Sequence, residues 1–189
     1  LTWVNPYTGL SIGDDPSAIF VALCNECTLF RKQTLMDNNP YYSAEFQKYY
    51  NDWLKEKYPT REALDYAWTV TNSDQTGLEE GESQLDGTVK LYGTNGQKFI
   101  NTKRYKDNLA FLGDAERNFY RHSIDKIHSY APKLLVQGST LCLEWTGAVH
   151  SAAVEGDYIS VQAYWKLPSG NGETMQPGTK ISKPVQSSL

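Results

Sequence analysis

Ile19-Phe-Val-Ala-Leu-Cys24 runs straight into Asn25-Glu26, so a stretch of six apolar residues stops abruptly at an amide and a carboxylate. A run of this length and composition predicts a strand buried on both faces, as in a parallel sheet layered by helices. A carboxylate at the end of such a strand has two readings. It is a solvated Glu at the strand's tip, or it stands on the carboxyl-end rim where α/β folds keep their chemistry.

Working outward, the residues on the amino side are turn chemistry: Asn5-Pro-Tyr-Thr-Gly9 lies between apolar segments, and Asp14-Asp-Pro16-Ser17 offers a cap with Pro at the first helical position. The second of these predicts a short helical turn leading into the strand. On the carboxyl side the period changes to that of a helix. Ser43 is the expected cap of a segment carrying Phe46, Tyr49 or Tyr50, Trp53 and Leu54 and ending at Tyr58-Pro59. Thr60 caps the next, with Leu64, Ala67 and Trp68 along one side. Residues 71–98 lose periodicity and read as a long loop, with Val89-Lys-Leu-Tyr92 as a short strand within it. A long helix follows between Thr102 and Tyr130, its stripe made of Tyr105, Leu109, Leu112, Phe119, Ile124 and Ile127. Its Gly113 costs about 1 kcal/mol relative to Ala.

Pro132 closes that helix. Lys133-Leu-Leu-Val-Gln137 predicts a second buried strand ended by Gly138-Ser139, and Tyr158-Ile-Ser-Val-Gln-Ala-Tyr-Trp165 a third, introduced by Glu155-Gly-Asp157. Strand, helices, strand, helical stretch, strand is the order of repeated βαβ units, so the fold class is α/β with parallel strands. The tail, 166–189, is polar and irregular, with at most a short strand around Ile181. Its 189 residues are expected to form a single domain, 1–189.

A net charge of -4 and a pI near 5.4 exclude nucleic acid as the main partner, which needs clustered Lys and Arg. No apolar stretch approaches the roughly 20 residues of a membrane span. The first residues, Leu1-Thr-Trp-Val-Asn5, also lack the basic-then-apolar pattern of a signal peptide. Gly77-Leu-Glu-Glu-Gly81 lacks the Lys-Ser/Thr ending of a phosphate loop. The three cysteines are Cys24, Cys27 and Cys142. Cys24-Asn-Glu-Cys27 is half a metal or redox motif, but no second Cys pair or nearby His completes a set, and Cys24 is read as a core residue. His122 and His128 are six apart on one helix and do not share a face. His150 reads as a surface residue, and Trp53 and Trp68 as core. Ser139 lacks the Gly-x-Ser-x-Gly setting of an esterase nucleophile. No metal and no cofactor are expected.

The three strand ends gather Asn25 and Glu26, then Gly138, Ser139, Glu144 and Trp145, then Gln162, Tyr164 and Trp165. A carboxylate, amides, a phenol and indoles on one rim describe a sugar site, which needs stacking faces, hydroxyl partners and acid/base carboxylates. The 13 Tyr and 5 Trp of the chain permit such a site without selecting it.

Val4-Asn-Pro-Tyr-Thr-Gly-Leu10, Asp14-Asp-Pro16 and Ala22-Leu-Cys-Asn-Glu-Cys-Thr-Leu-Phe30 together resemble the middle of the cellulase-like barrel glycoside hydrolases of the large retaining clan. Asn51-Asp-Trp-Leu-Lys-Glu-Lys-Tyr58, Glu116-Arg-Asn-Phe-Tyr120 and Asp157-Tyr-Ile-Ser-Val-Gln-Ala-Tyr-Trp165 extend the likeness over nearly the whole chain. The resemblance implies part of a TIM (β/α)8 barrel, about strands four to six, with a long helical insertion after the strand bearing the acid/base. It implies a retaining β-glycanase or β-glycosidase with Glu26 as general acid/base and Asn25 as the amide bonding a substrate hydroxyl. Tyr164 would orient the nucleophile and Trp165 would be a sugar platform. Gln162 stands where the clan usually has His. The nucleophile would come from the seventh strand, outside this chain. Glu144 and Glu155 are the nearest carboxylates by sequence, and neither matches the family position. Since a complete barrel takes roughly 250 residues, the expectation is an internal part of a larger enzyme, completed by other chain segments. The alternatives are a half-barrel that assembles, or a non-catalytic carbohydrate-binding or assembly protein on the same scaffold. A polysaccharide or oligosaccharide substrate implies an extracellular or periplasmic location.

Overall fold

A computed structural model describes residues 1–30, 39–69, 77–92, 102–140 and 146–160. Its elements in chain order are β1 (Phe20–Asn25), α1 (Pro40–Lys57), α2 (Arg61–Thr69), α3 (Lys103–His128), β2 (Leu135–Thr140) and α4 (Thr146–Glu155). The two strands pair in parallel, with Phe20 opposite Leu135, Cys24 opposite Ser139 and Asn25 opposite Thr140. Three helices separate them in sequence, as a parallel connection requires a crossover. Helices and parallel strands thus combine as the α/β reading expects. Among the described residues no helix is long and apolar enough to cross a membrane.

β1 is not buried on both faces. Val21, Leu23 and Cys24 pack toward the core, whereas Ile19 and Phe20 are 64% and 65% exposed and Ala22 is exposed. Successive side chains of a strand leave on opposite faces, and the described helices cover one of them. On the other face Phe20 meets the ring of Tyr158 edge-on, with centroids 5.5 Å apart. Residues 158–160, the described start of the expected third strand, form no strand, and the rest of it lies outside the described residues.

The helix starts show how local chemistry sets boundaries. α1 begins before Ser43: Asn39 is the cap, its Oδ1 accepting from the backbone N–H of Tyr41 and Tyr42 at 3.2 and 3.3 Å, with Pro40 opening the first turn. Asn before Pro joins the best capping side chain to a residue whose φ is already helical, so it outcompetes a serine four positions on. Thr60 caps α2 as expected, its Oγ1 accepting from Ala63 N–H at 3.1 Å, and Thr102 caps α3, accepting from Tyr105 N–H at 3.0 Å. At Asp14-Asp-Pro16-Ser17 there is a turn and no helix: Asp15 Oδ1 accepts from both the backbone N–H and the hydroxyl of Ser17.

The core holds Tyr50, Leu54, Leu64, Trp68, Val89, Phe111, Leu112 and Val136. Trp68 is fully buried and Trp53 is partly buried against this cluster. The buried face of α3 differs from the apolar stripe. It consists of Arg104, Asp107, Asn108, Phe111, Leu112, Ala115, Glu116, Tyr120 and Ile124, while Phe119 is 58% exposed. Polar residues can occupy that face because each finds partners inside. Val89–Tyr92 is likewise not a strand. Its backbone is held by side-chain amides: Val89 N–H donates to Asn51 Oδ1 and Val89 carbonyl accepts from Asn51 Nδ2 (3.1 and 3.0 Å). Leu91 N–H donates to Gln47 Oε1 and Tyr92 N–H to Asn108 Oδ1 (3.1 and 2.9 Å). Amides that satisfy donor and acceptor together replace a neighbouring strand. α4 lies against α3 at Gly113, where Ser151 donates its hydroxyl to the Gly113 carbonyl at 3.1 Å.

Candidate active site

The carboxyl ends of β1 and β2 bring Asn25 and Glu26 beside Ser139 and Thr140. Glu26 N–H donates to the Thr140 carbonyl at 2.8 Å, which carries the parallel ladder one residue past β1. There the chain bends, and Glu26 adopts a φ of 50°. Among the described residues it is the only non-glycine with positive φ. For a residue with a Cβ this left-handed conformation costs about 1–2 kcal/mol and persists where the surroundings enforce it.

The enforcement comes from the next residues. Cys27 N–H donates to Ser139 Oγ at 3.1 Å, and the Tyr120 hydroxyl of α3 donates to the Cys27 carbonyl at 3.3 Å. Thr28 Oγ1 donates to Glu116 Oε1 at 2.5 Å, the same oxygen accepts the N–H of Leu29, and Thr28 Oγ1 itself accepts from Phe30 N–H at 3.2 Å. Glu116 is 3% exposed, so a buried carboxylate on α3 fixes the loop that follows Glu26. Burial, with Glu116 nearby, pushes the Tyr120 phenol well up from its ordinary value, which keeps it a neutral donor. Burial also pushes the Cys24 thiol up. Gly138 is required by packing: a Cβ there would fall 2.9–3.0 Å from the Tyr120 ring.

Glu26 itself is half-buried and Asn25 exposed, side by side at the rim. Gln162, Tyr164, Trp165, Glu144 and Trp145 lie outside the described residues. Glu155 ends α4 and is held in a two-point ion pair by Arg121, with Nε and Nη2 donating at 3.0 and 2.7 Å. A carboxylate so neutralised is a poor nucleophile. Cys24 is half-buried at the rim, not a full core residue, and Cys27 is exposed. His150 is exposed. His128 Nε2 faces Asp157 Oδ2 at 2.9 Å and His122 Nδ1 faces the Asn118 carbonyl at 2.7 Å, so the two histidines serve separate partners. A cavity of about 400 Å³ near the carboxyl end of α3 is lined by Leu1, Thr2, Lys126, Ile127 and Tyr130, none of them acidic.

Glu116 and Tyr120 escape a reading by strand ends because they act from a helix, and Thr140 because β2 runs past Gly138 and Ser139 to end on it. The signal on α3 is a carboxylate at core spacing: Glu116 follows Leu112 and precedes Tyr120 by four residues each, on the buried face of α3.

No family model matches the chain. Over 123 residues, 65% of its length, it is 28% identical to the Beta-galactosidase LacZ of Heyndrickxia coagulans and covers 17% of that protein. Among solved structures it is similar to an agarase, AgWH50C, with a TM-score of 0.50 at 19% identity, covering 76% of this chain and 20% of that one. It is similar also to PfGH50B, with a TM-score of 0.53 at 16% identity, covering 79% of this chain and 22% of that one. This chain spans about a fifth of the length of each of these proteins.

Proposed function

We propose that the chain, 1–189, is a single piece of a (β/α)8-barrel glycoside hydrolase, the piece that carries the general acid/base of a retaining β-glycanase or β-glycosidase. The observation that supports this most is Glu26: a carboxylate in left-handed backbone conformation at the carboxyl end of a parallel strand, clamped from β2 and α3. Strain held at a strand's carboxyl end is expected of functional residues.

In this reading Glu26 donates its proton to the glycosidic oxygen as a second carboxylate, about 5–5.5 Å away, attacks the anomeric carbon. Glu26 then takes a proton from the water that hydrolyses the glycosyl-enzyme. The second carboxylate belongs to a segment outside this chain, as do the remaining barrel strands. Asn25 hydrogen-bonds a substrate hydroxyl beside the cleaved bond. Tyr164 orients the nucleophile, Trp165 stacks on a sugar ring, and Gln162 hydrogen-bonds without carrying a proton. The substrate is a polysaccharide or oligosaccharide, and the enzyme works outside the cytoplasmic membrane.

The test is Glu26→Gln in the complete protein. Turnover of natural glycosides should fall by roughly 10²–10⁴-fold, while an aryl glycoside whose leaving group departs without protonation should still release its phenol in the first turnover. Unchanged turnover of natural substrate overturns the assignment. A wild-type protein that binds oligosaccharide and never cleaves it identifies instead the non-catalytic binding protein.

A further inference from the structure

We propose that Cys24 and Cys27 are a reversible thiol–disulfide pair whose closure encloses Asn25 and Glu26 in a four-residue loop. Had β1 continued straight, the two cysteines would be about 10 Å apart along the strand and on opposite faces, beyond the ~7 Å that a disulfide spans. The bend at Glu26, with its φ of 50°, turns the chain back. Cys24 lies opposite Ser139 in the ladder, and Cys27 N–H donates to Ser139 Oγ at 3.1 Å, so both cysteines abut the same residue of β2. Cys24 Sγ lies 3.7 Å from the Gly138 carbonyl and Cys27 Sγ 3.3 Å from the Asn25 carbonyl. Both thiols are free.

Their exposure assigns the order of events. Cys27 is exposed and Cys24 half-buried. The Cys27 thiolate attacks one sulfur of a small-molecule disulfide such as oxidised glutathione, and one glutathione leaves as thiolate. Cys24 then loses its proton and attacks Cys27 Sγ, expelling the second glutathione. Two cysteine thiols are oxidised to one disulfide, and one external disulfide is reduced to two thiols. The bond itself rests on the geometry alone. Its consequence for turnover, through the backbone of Glu26, rests on the proposed role of that residue.

Incubating the complete protein with oxidised glutathione, blocking remaining thiols with an alkylating agent and mapping peptides by mass spectrometry tests this without any measurement of activity. The expected result is a Cys24–Cys27 bond within one peptide, with the loss of two alkylatable thiols, reversed by dithiothreitol. Cys24→Ser should leave glutathione on Cys27, and Cys27→Ser should leave Cys24 unmodified at the same exposure. A lasting glutathione adduct on Cys27 of the wild type, a bond from Cys27 to Cys142, or no reaction at either residue overturns the proposal. Because no outcome depends on turnover, the pair and the catalytic reading stand or fall separately.

Discussion

Glu26 is positioned through backbone: its own N–H, the N–H and carbonyl of Cys27 and the N–H of Leu29 all have partners on β2 or α3. This explains why a small change under the loop should matter. Gly138→Ala places a Cβ 2.9–3.0 Å from the Tyr120 ring, and the ring is 3% exposed with nowhere to move cheaply. The variant should lose about 1–3 kcal/mol of stability in urea denaturation. A cycle with Tyr120→Leu should show the two changes to be strongly non-additive, since they touch. At this scale Asn25 and Glu26 were legible because an apolar run ends on them. The end of β2 was read two residues early, at Gly138-Ser139, because those residues are not apolar, whereas the strand runs through them to Thr140 as Ser139 and Thr140 pair with Cys24 and Asn25. Glu116 was not legible, since its partner residues lie 87 and 88 positions away, a separation that no local pattern encodes.

Helix boundaries test how far local rules reach. Asn39→Ala removes the acceptor for two first-turn N–H groups and should cost about 1 kcal/mol. Ser43→Ala, inside α1, should stay within about 0.5 kcal/mol. Thermal or urea unfolding of the two variants side by side checks the difference. Thr60 was readable as a cap because it precedes its helix directly. The buried face of α3 was misread for a different reason. Hydropathy ranks Arg104, Asp107 and Asn108 as surface residues, yet all three are at most 1% exposed. Burial of such groups follows from who their partners are, and most of those partners come from other parts of the chain: α1 and the residue after it, α2, and residues 77–92.

For the molecule as a whole, that polar interior ties the helices together. Asp107 accepts hydrogen bonds from Lys57 and Lys103 Nζ at 2.9 and 2.6 Å, from the Tyr58 hydroxyl at 2.8 Å and from Trp68 Nε1 at 2.9 Å. Arg104 meets Glu82 with two bonds of 2.7 and 2.6 Å, its guanidinium lying 4.8 and 4.9 Å from the ring centres of Trp68 and Tyr92. Burial alone would raise the Asp107 carboxyl, but the bonds from Lys103, Trp68, Lys57 and Tyr58 outweigh it and hold the group below its ordinary range. Glu82 is lowered likewise: burial opposes, while Arg104 and the N–H groups of Lys90 and Glu79 prevail. A carboxyl lowered in the folded state contributes its full stability above the unfolded pKa, about 3.9 for Asp and 4.3 for Glu. That contribution is lost as pH falls through the folded value. Stability should therefore drop as pH goes below about 4. Asp107→Asn should flatten that drop and cost about 1–3 kcal/mol near neutral pH by weakening the acceptor shared by four donors. Urea unfolding at a series of pH values measures both.

What depends on neighbours in the chain could be read from the residues alone. They placed β1 and the first half of β2 as apolar runs, the long insertion between them, the cap at Thr60, and an Asn-Glu pair where an apolar strand stops. What depends on distant partners emerged only on folding. Folding left one face of β1 open, gave Glu26 its left-handed backbone, set Glu116 and Tyr120 beneath the loop and brought Cys27 back beside Cys24. The physical reason is range: periodicity and capping act over a few residues, whereas burial and hydrogen bonding between α3 and the rim join groups that only folding brings within 3 Å or so of one another.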